Sequence, residues 1–557
     1  MRRFCSILLL LLATHCWATN VYIDPGCIIN GNGNTQSCAD GENGPRNSWL
    51  GIEYSPGNSY LGRAGADAHY ENCNFLISAD GTDTNNQITV GSYGTGKHRI
   101  ICDEGYVFGA VQRSWLTVRD LEISATNGQC ILLMGSDNVT ISNVDFKFCA
   151  GYGIGLDGAN ETIDHDHLTI SGNTFIETGS SAIAGNPEFV NTQDWSHIRI
   201  TGNRFEAGIS SLSPFAAPAI SFKQVSNLGY VYNNTISDLV IDNNTFVGVN
   251  FGANNPSYLI LVSRSPFPSN PWPTKDHSNC PRNYSIFGAS VHDNTATDIG
   301  GGIGVHFSAG TSITRNLLFN FRATSVIGLF FSENMYTGEN VIDEINTGAF
   351  AEYWDGIGID YDYCTRNGII ARNYISNAHG SDVDNADWNG QGIAVFAADT
   401  HKIYSNVLTN NRFGVTFGND NLTEHYGANH LFNNTIVNSQ RDAISTRFST
   451  EQENEIYNNI IAFSQRFGLR ADGIGQQHLS NNLFFANATA DIESNNPDNA
   501  TVEQDPGLVG GSGADAYRIL SSSPAYRAGF PVRALFTDYD GLSRPAPPSI
   551  GAFEPLQ

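Results

Sequence analysis

Between residues 111 and 490 apolar and polar positions alternate in short bursts, as in Leu168-Thr-Ile-Ser-Gly-Asn-Thr-Phe175, and each burst ends at a Gly, Asn or Asp. Alternation with a period of two, punctuated by turn residues, predicts short half-buried strands, and no segment sustains a helical period. The bursts come in register with a recurring asparagine: Asn143, Asn173, Asn203, Asn244, Asn294, Asn316, Asn346, Asn373, Asn406, Asn434, Asn459 and Asn482, at intervals of 22 to 50 residues. In ten of these twelve an aliphatic residue stands three positions earlier. Repeats of this length made of strand and turn imply a solenoid, and one asparagine per coil can stack as a hydrogen-bonded ladder. The expected fold is all-β, a right-handed parallel β-helix of about 12–13 coils with terminal caps. The expected organisation is a signal peptide over 1–18, an N-terminal cap and first coils over 19–110, the repeat region over 111–490 and a C-terminal cap over 491–557.

A second pattern, small–aliphatic–small–aliphatic, follows each asparagine turn: Gly302-Ile-Gly-Val-His306, Val326-Ile-Gly-Leu-Phe330, Gly356-Ile-Gly-Ile-Asp360, Gly392-Ile-Ala-Val-Phe396 and Ala443-Ile-Ser-Thr-Arg447. Alternate strand residues face opposite sides. The aliphatics therefore point inward, and Gly304, Gly328, Gly358 and Ala394 are expected to form the floor of an outward trough. At the end of this pattern stand Lys223, His306, Asp360 and Arg447. Packing convenience for glycine is the plainer alternative.

The richest stretch runs from Glu352 through Trp354, Asp355, Asp360 and Asp362 to Cys364. Asp360 and Asp362, two apart on a strand, share one face with backbones roughly 6.6 Å apart. Glycoside hydrolysis uses two carboxyl groups roughly 5–9.5 Å apart, one keeping its proton. Asp360 and Asp362 are thus the candidate catalytic pair, with Asp355 assisting, and Trp354, His306, Lys223, Glu333, Trp388 and Arg447 are candidate sugar contacts. The loop carrying Asp382, Asp384 and Asp387 has the oxygen-rich character of a Ca²⁺ site, with a solvated acidic loop as the alternative.

Composition narrows the partner. Against 55 Asp plus Glu stand 29 Lys plus Arg, five of them lysines, for a net charge of −26. This repels phosphate backbones, so nucleic acid is not expected. Arg2, Arg3, the apolar run Ile7–Ala13 and Cys16-Trp17-Ala18 have the form of a cleaved export signal. Nothing later is long and apolar enough to span a bilayer as a helix. The eight cysteines after the signal are expected to pair in an oxidising compartment, with Cys27–Cys38 and Cys73–Cys102 as the local pairs.

The stretch Ile88-Thr-Val-Gly-Ser-Tyr-Gly-Thr-Gly-Lys-His-Arg-Ile-Ile101 resembles the opening of secreted right-handed β-helix proteins of the pectin-lyase-like kind. Asp505-Pro, Ser523-Pro-Ala, Asp538-Tyr-Asp-Gly and Ile550-Gly-Ala-Phe-Glu resemble their closing cap, and the segment from Glu352 to Tyr374 is similar to strands that carry carboxylates in β-helix glycoside hydrolases. The Asn-Thr-Asp and Gly-His-Gly motifs of polygalacturonases are absent. The resemblance implies a secreted or periplasmic carbohydrate-active protein with a polysaccharide as partner, expected to work as a monomer. A hydrolase with no cofactor leads, a Ca²⁺-dependent lyase with Lys223 or Arg447 as base follows, and a non-catalytic glycan-binding β-helix is the third reading.

Overall fold

The computed structural model describes residues 19–555 apart from 158–163, 187–193, 207–216, 225–234, 251–257, 265–279, 281–283, 347–354, 381–388, 419–426, 449–452, 472–476, 495–500 and 532–535. Each coil contributes a strand to each of three parallel sheets in turn, as in Ile369–Ala371, Tyr374–Ala378 and Gln391–Phe396, before the chain rises to Lys402–Tyr404. The sheets hold nineteen, sixteen and fifteen strands among the described residues, and the chain is a right-handed parallel β-helix. The fifteen-strand sheet carries the small–aliphatic pattern expected to form the trough. It has more strands than the 12–13 coils expected, because Phe75–Ile77, Phe108–Val111 and Ile131–Met134 precede the first asparagine of the repeat.

Inside, like stacks on like. One isoleucine column of the trough sheet runs Ile131, Ile154, Ile183, Ile220, Ile260, Ile303, Ile327, Ile359, Ile393 in unbroken register. All nine are buried, and each contributes about 1.5–3 kcal/mol by leaving water. On the sixteen-strand sheet Phe146, Phe175, Phe205 and Phe246 stack nearly parallel at 4.5, 4.9 and 4.6 Å.

The asparagine column fixes the turn between the nineteen- and sixteen-strand sheets. Asn373 donates its backbone N–H and its Nδ2 to Asn406 Oδ1, each at 2.9 Å, and Asn406 Nδ2 in turn donates to the Ile370 carbonyl at 2.9 Å. The same pattern runs from Asn173 to Asn482. Two expected members do not belong. Asn143 lies one residue early, its place at the ladder's edge taken by Val144, whose N–H donates to Asn173 Oδ1. Asn346 lies one turn further on and is replaced by Asn340, which links Asn316 to Asn373. Asn346 instead closes the turn into the trough sheet by bonding both the N–H and the carbonyl of Ala323, and Asn411 makes a like closure with Ala378 and Ile375.

Four disulfides lock the coils. Cys27–Cys38 and Cys73–Cys102 form as expected, with Cys130–Cys149 and Cys280–Cys364 beside them, at Cα separations of 5.3 to 5.8 Å.

A ladder asparagine and the displaced one should respond differently to substitution. Asn406→Ala strips the buried Asn373 N–H of its acceptor and should cost about 1–3 kcal/mol. Asn143 is exposed, with φ +53°, so Asn143→Gly should stay within about 0.5 kcal/mol. Chemical denaturation of both variants checks this.

Candidate active site

The register of the trough sheet decides which side chains meet. Ile303, Ile327, Ile359 and Ile393 share the inward column, so the outward position beside them runs Gly304, Gly328, Asp360, Ala394, Thr416. The next outward position runs His306, Phe330, Asp362, Phe396, Gly418. Asp360 and Asp362 therefore do share one face of the strand Ile357–Asp362. The expected alignment was two residues out for this coil. Asp360 does not stand in line with His306. It occupies the floor place expected of Gly358, and Asp362 is the residue in line with His306. At Gly358, which lies near the start of the strand and outside these register pairs, a Cβ would sit 2.7 Å from the Ile375 Cγ2.

The slip is decided by Tyr361. Its ring turns inward, fully buried, because its hydroxyl finds Thr337 Oγ1 at 2.9 Å and the Ile369 carbonyl at 3.3 Å, and His401 packs edge-on against it at 5.1 Å. Burial pushes the phenol's pKa up, so it stays neutral. With Tyr361 inside, both flanking aspartates must face out.

Asp360 is 3% exposed, set between Gly328 and Ala394. Asp362 is half-buried between Phe330 and Phe396 in register, and its Oδ1 accepts the Tyr363 N–H at 2.7 Å. The wall continues through aromatic rings: Phe330 against His306 at 4.7 Å, and His306 against Tyr258 at 5.4 Å. A Cβ on Gly304 would lie 2.6 Å from the Tyr258 ring, so glycine there makes room for the tyrosine. Burial raises the Tyr258 phenol's pKa, and the charge on Asp360 raises it further. His306 is fully buried, which pushes its pKa down to about 3. The arrangement is a carboxylate pair on an aromatic-lined strip, with a neutral imidazole and a neutral phenol beside it. Such a strip can stack on sugar faces and exchange protons with a glycosidic oxygen.

The other expected residues distribute unevenly. Asp355 is half-buried, five residues before Asp360 at the opposite end of the strand from Asp362, where its carbonyl accepts the Gly390 N–H. Glu333 lies past the trough strand, in an ion pair with Arg366. Lys223 pairs in register with Ser263, four trough strands from Asp362, roughly 19 Å at 4.8 Å per strand. The Lys223 and Arg447 side chains lie outside the described residues, as do Trp354, Asp382, Asp384, Asp387 and Trp388. The Cys280–Cys364 disulfide ties Cys280 to a position two residues beyond Asp362. Tyr258 was not expected, because Leu259-Ile-Leu-Val lacks the small–aliphatic alternation that marks its neighbours.

No family model matches the chain, and no curated protein matches it in sequence. Among solved structures, it is similar to the GH136 lacto-N-biosidase from Eubacterium ramulus at 12% identity and TM-score 0.30, covering 84% of this chain and 67% of that one. It is also similar to XylC in complex with xylose, at 10% identity and TM-score 0.36, covering 97% and 99%. A third is the PL6 family alginate lyase AlyGC, at 14% identity and TM-score 0.37, covering 87% of this chain and 53% of that one. The fold assigned above rests on this chain's own strand pairing.

The buried imidazoles give the fold a pH dependence of known sign. His306 and His401 have pKa values lowered by burial to about 3 and about 4, against about 6.5 in an unfolded chain. Below about pH 6.5 the unfolded chain takes up protons that the native one refuses, so stability is full above that pH and falls as pH drops toward 4. Denaturation at about pH 7.5 and about pH 5.5, above the carboxylate range, should show the loss, and His401→Asn should reduce the difference between the two.

Proposed function

We propose that this chain is an exported carbohydrate-active enzyme that binds an extended glycan along the trough and hydrolyses it with Asp360 and Asp362. The observation that carries this reading is the break in the floor column: between Gly328 and Ala394 the small residue is replaced by a nearly buried carboxylate, with a second carboxylate two residues on. Hydrolysis needs one group to protonate the leaving oxygen and another to act as base or nucleophile. Phe330, Phe396 and Tyr258 offer the apolar faces on which sugar rings stack, and Asp355 and Trp354 would act from the segment leading into the strand. His306 stays uncharged, so it serves as a neutral hydrogen-bonding or packing group. Export is supported by the four disulfides, which persist in oxidising compartments. Among the described residues no helix is long and apolar enough to cross a membrane. The hydrolase chemistry requires no cofactor.

A screen of the purified protein against a panel of polysaccharides, read by new reducing ends and by ultraviolet absorbance, tests the proposal. New reducing ends without absorbance are expected. On the substrate so found, Asp360→Asn and Asp362→Asn should each lower turnover by about 10²–10⁴ while Lys223→Ala leaves it within about threefold. An absorbing unsaturated product, chelator sensitivity and loss of activity in Lys223→Ala would replace this reading with a Ca²⁺-dependent lyase. Binding with no product would leave a glycan-binding β-helix.

A further inference from the structure

Away from the trough, on the outer face of the nineteen-strand sheet, two histidines converge on one carboxylate. His167 Nδ1 lies 2.7 Å from Asp166 Oδ2, and His197 Nδ1 lies 2.8 Å from Asp166 Oδ1. The two imidazoles stack at 4.5 Å with their planes 14° apart. The repeat itself creates the juxtaposition. Asp166, Ser196 and Ser237 are partners in register, so the residues after them, His167, His197 and Asp238, stand one above another. All three have left-handed backbone, at φ +55°, +52° and +52°, a conformation that Asn, Asp and His adopt more readily than other side chains.

From this geometry we infer that Asp166, His167 and His197 form a binding site for a divalent transition ion of the zinc class. The three donor atoms lie within 4.8 Å of one another. The two nitrogen–oxygen separations, 2.7 and 2.8 Å, are shorter than the roughly 3.3 Å edge of a tetrahedron built on Zn–N and Zn–O bonds of about 2 Å, so an entering ion has to spread the donors by about half an ångström. Two imidazoles and one carboxylate suit zinc, copper or nickel rather than Ca²⁺, which takes oxygen ligands. The outer groups fit the same role. Ser196 Oγ donates to Asp166 Oδ1 at 2.7 Å and orients the carboxylate. Binding through Nδ1 places the remaining proton of His197 on Nε2, which is 3.8 Å from Asp238 Oδ2, beyond hydrogen-bond length but on the side where metal-bound histidines carry a carboxylate partner.

The surroundings also favour a cation: Asp137, whose Oδ1 accepts the Asp166 N–H at 3.0 Å, and Asp238, near His197, bring further carboxylates beside the cluster. Half of each imidazole remains exposed, with side-chain accessibilities of 56% and 52%, so an ion can enter and fourth and further positions stay open to water.

Zinc titration of the whole protein, by calorimetry and by metal analysis after dialysis, tests the site. One zinc per chain is expected, with an excess of Ca²⁺ failing to displace it. The double variant His167→Asn, His197→Asn keeps residues that accept the left-handed backbone, and it should lose the bound zinc while its circular dichroism is unchanged. Asp166→Asn should weaken binding by at least about tenfold, and His69→Asn, at the separate exposed His69–Asp103 pair, should leave it unaltered. The inference is overturned if the protein takes up no zinc at about 100 μM, if the double variant retains it, or if Asp166→Asn binds as tightly as the parent.

Discussion

The fold depends on a hydrogen bond repeated from coil to coil, the side-chain amide of one asparagine bridging to the asparagine above it. A parallel β-helix turns sharply three times per coil, and each turn leaves backbone N–H groups that no strand partner can reach. An asparagine in the bend supplies an acceptor for the N–H of one neighbour and a donor for a carbonyl of another. Because these atoms are buried, an unmatched one costs about 1–3 kcal/mol, so the ladder holds successive coils to one register. Isoleucine and phenylalanine columns then fill the interior at the spacing that the ladder sets.

Register is what assembles the candidate site on this scaffold. A strand shifted by two residues keeps its inward and outward faces but changes which side chains are neighbours. In the coil from Ile357 to Asp362 the choice of Tyr361 as an inward residue, with Thr337 and His401 as its partners, moves a carboxylate onto the trough floor. The same choice sets Asp362 in line with Phe330 and Phe396. The Cys280–Cys364 bond then anchors a distant part of the chain beside that strand. Stability and candidate chemistry thus share one cause, the ordering of the coils.

The architecture was legible because its signal is local and repeated. The aliphatic residue three positions before the asparagine marked true ladder members well. Asn143 and Asn346, which lack it, are the two that stand elsewhere, whereas Asn340 was hidden because Thr337 occupies that position. The carboxylate pair was legible too, since residues two apart on a strand share a face. Its register was not. Ile357-Gly-Ile-Asp-Tyr-Asp accepts two alignments on pattern alone, and a tyrosine reads as an outward residue until its hydroxyl is seen to have buried partners. The zinc-class cluster was illegible for a related reason. His167 and His197 are 30 residues apart, and only the coil length brings them together.

The central claim is that the trough strand from Ile357 to Asp362 is where a glycan is held and cut. A crystal structure of the Asp360→Asn variant soaked with an oligosaccharide substrate tests it most directly. The account predicts sugar density lying along the trough, rings against Phe330 and Tyr258, with one glycosidic oxygen within hydrogen-bonding reach of residue 360 or Asp362. Sugar bound on another sheet, or in the trough with no glycosidic bond near either residue, would contradict it.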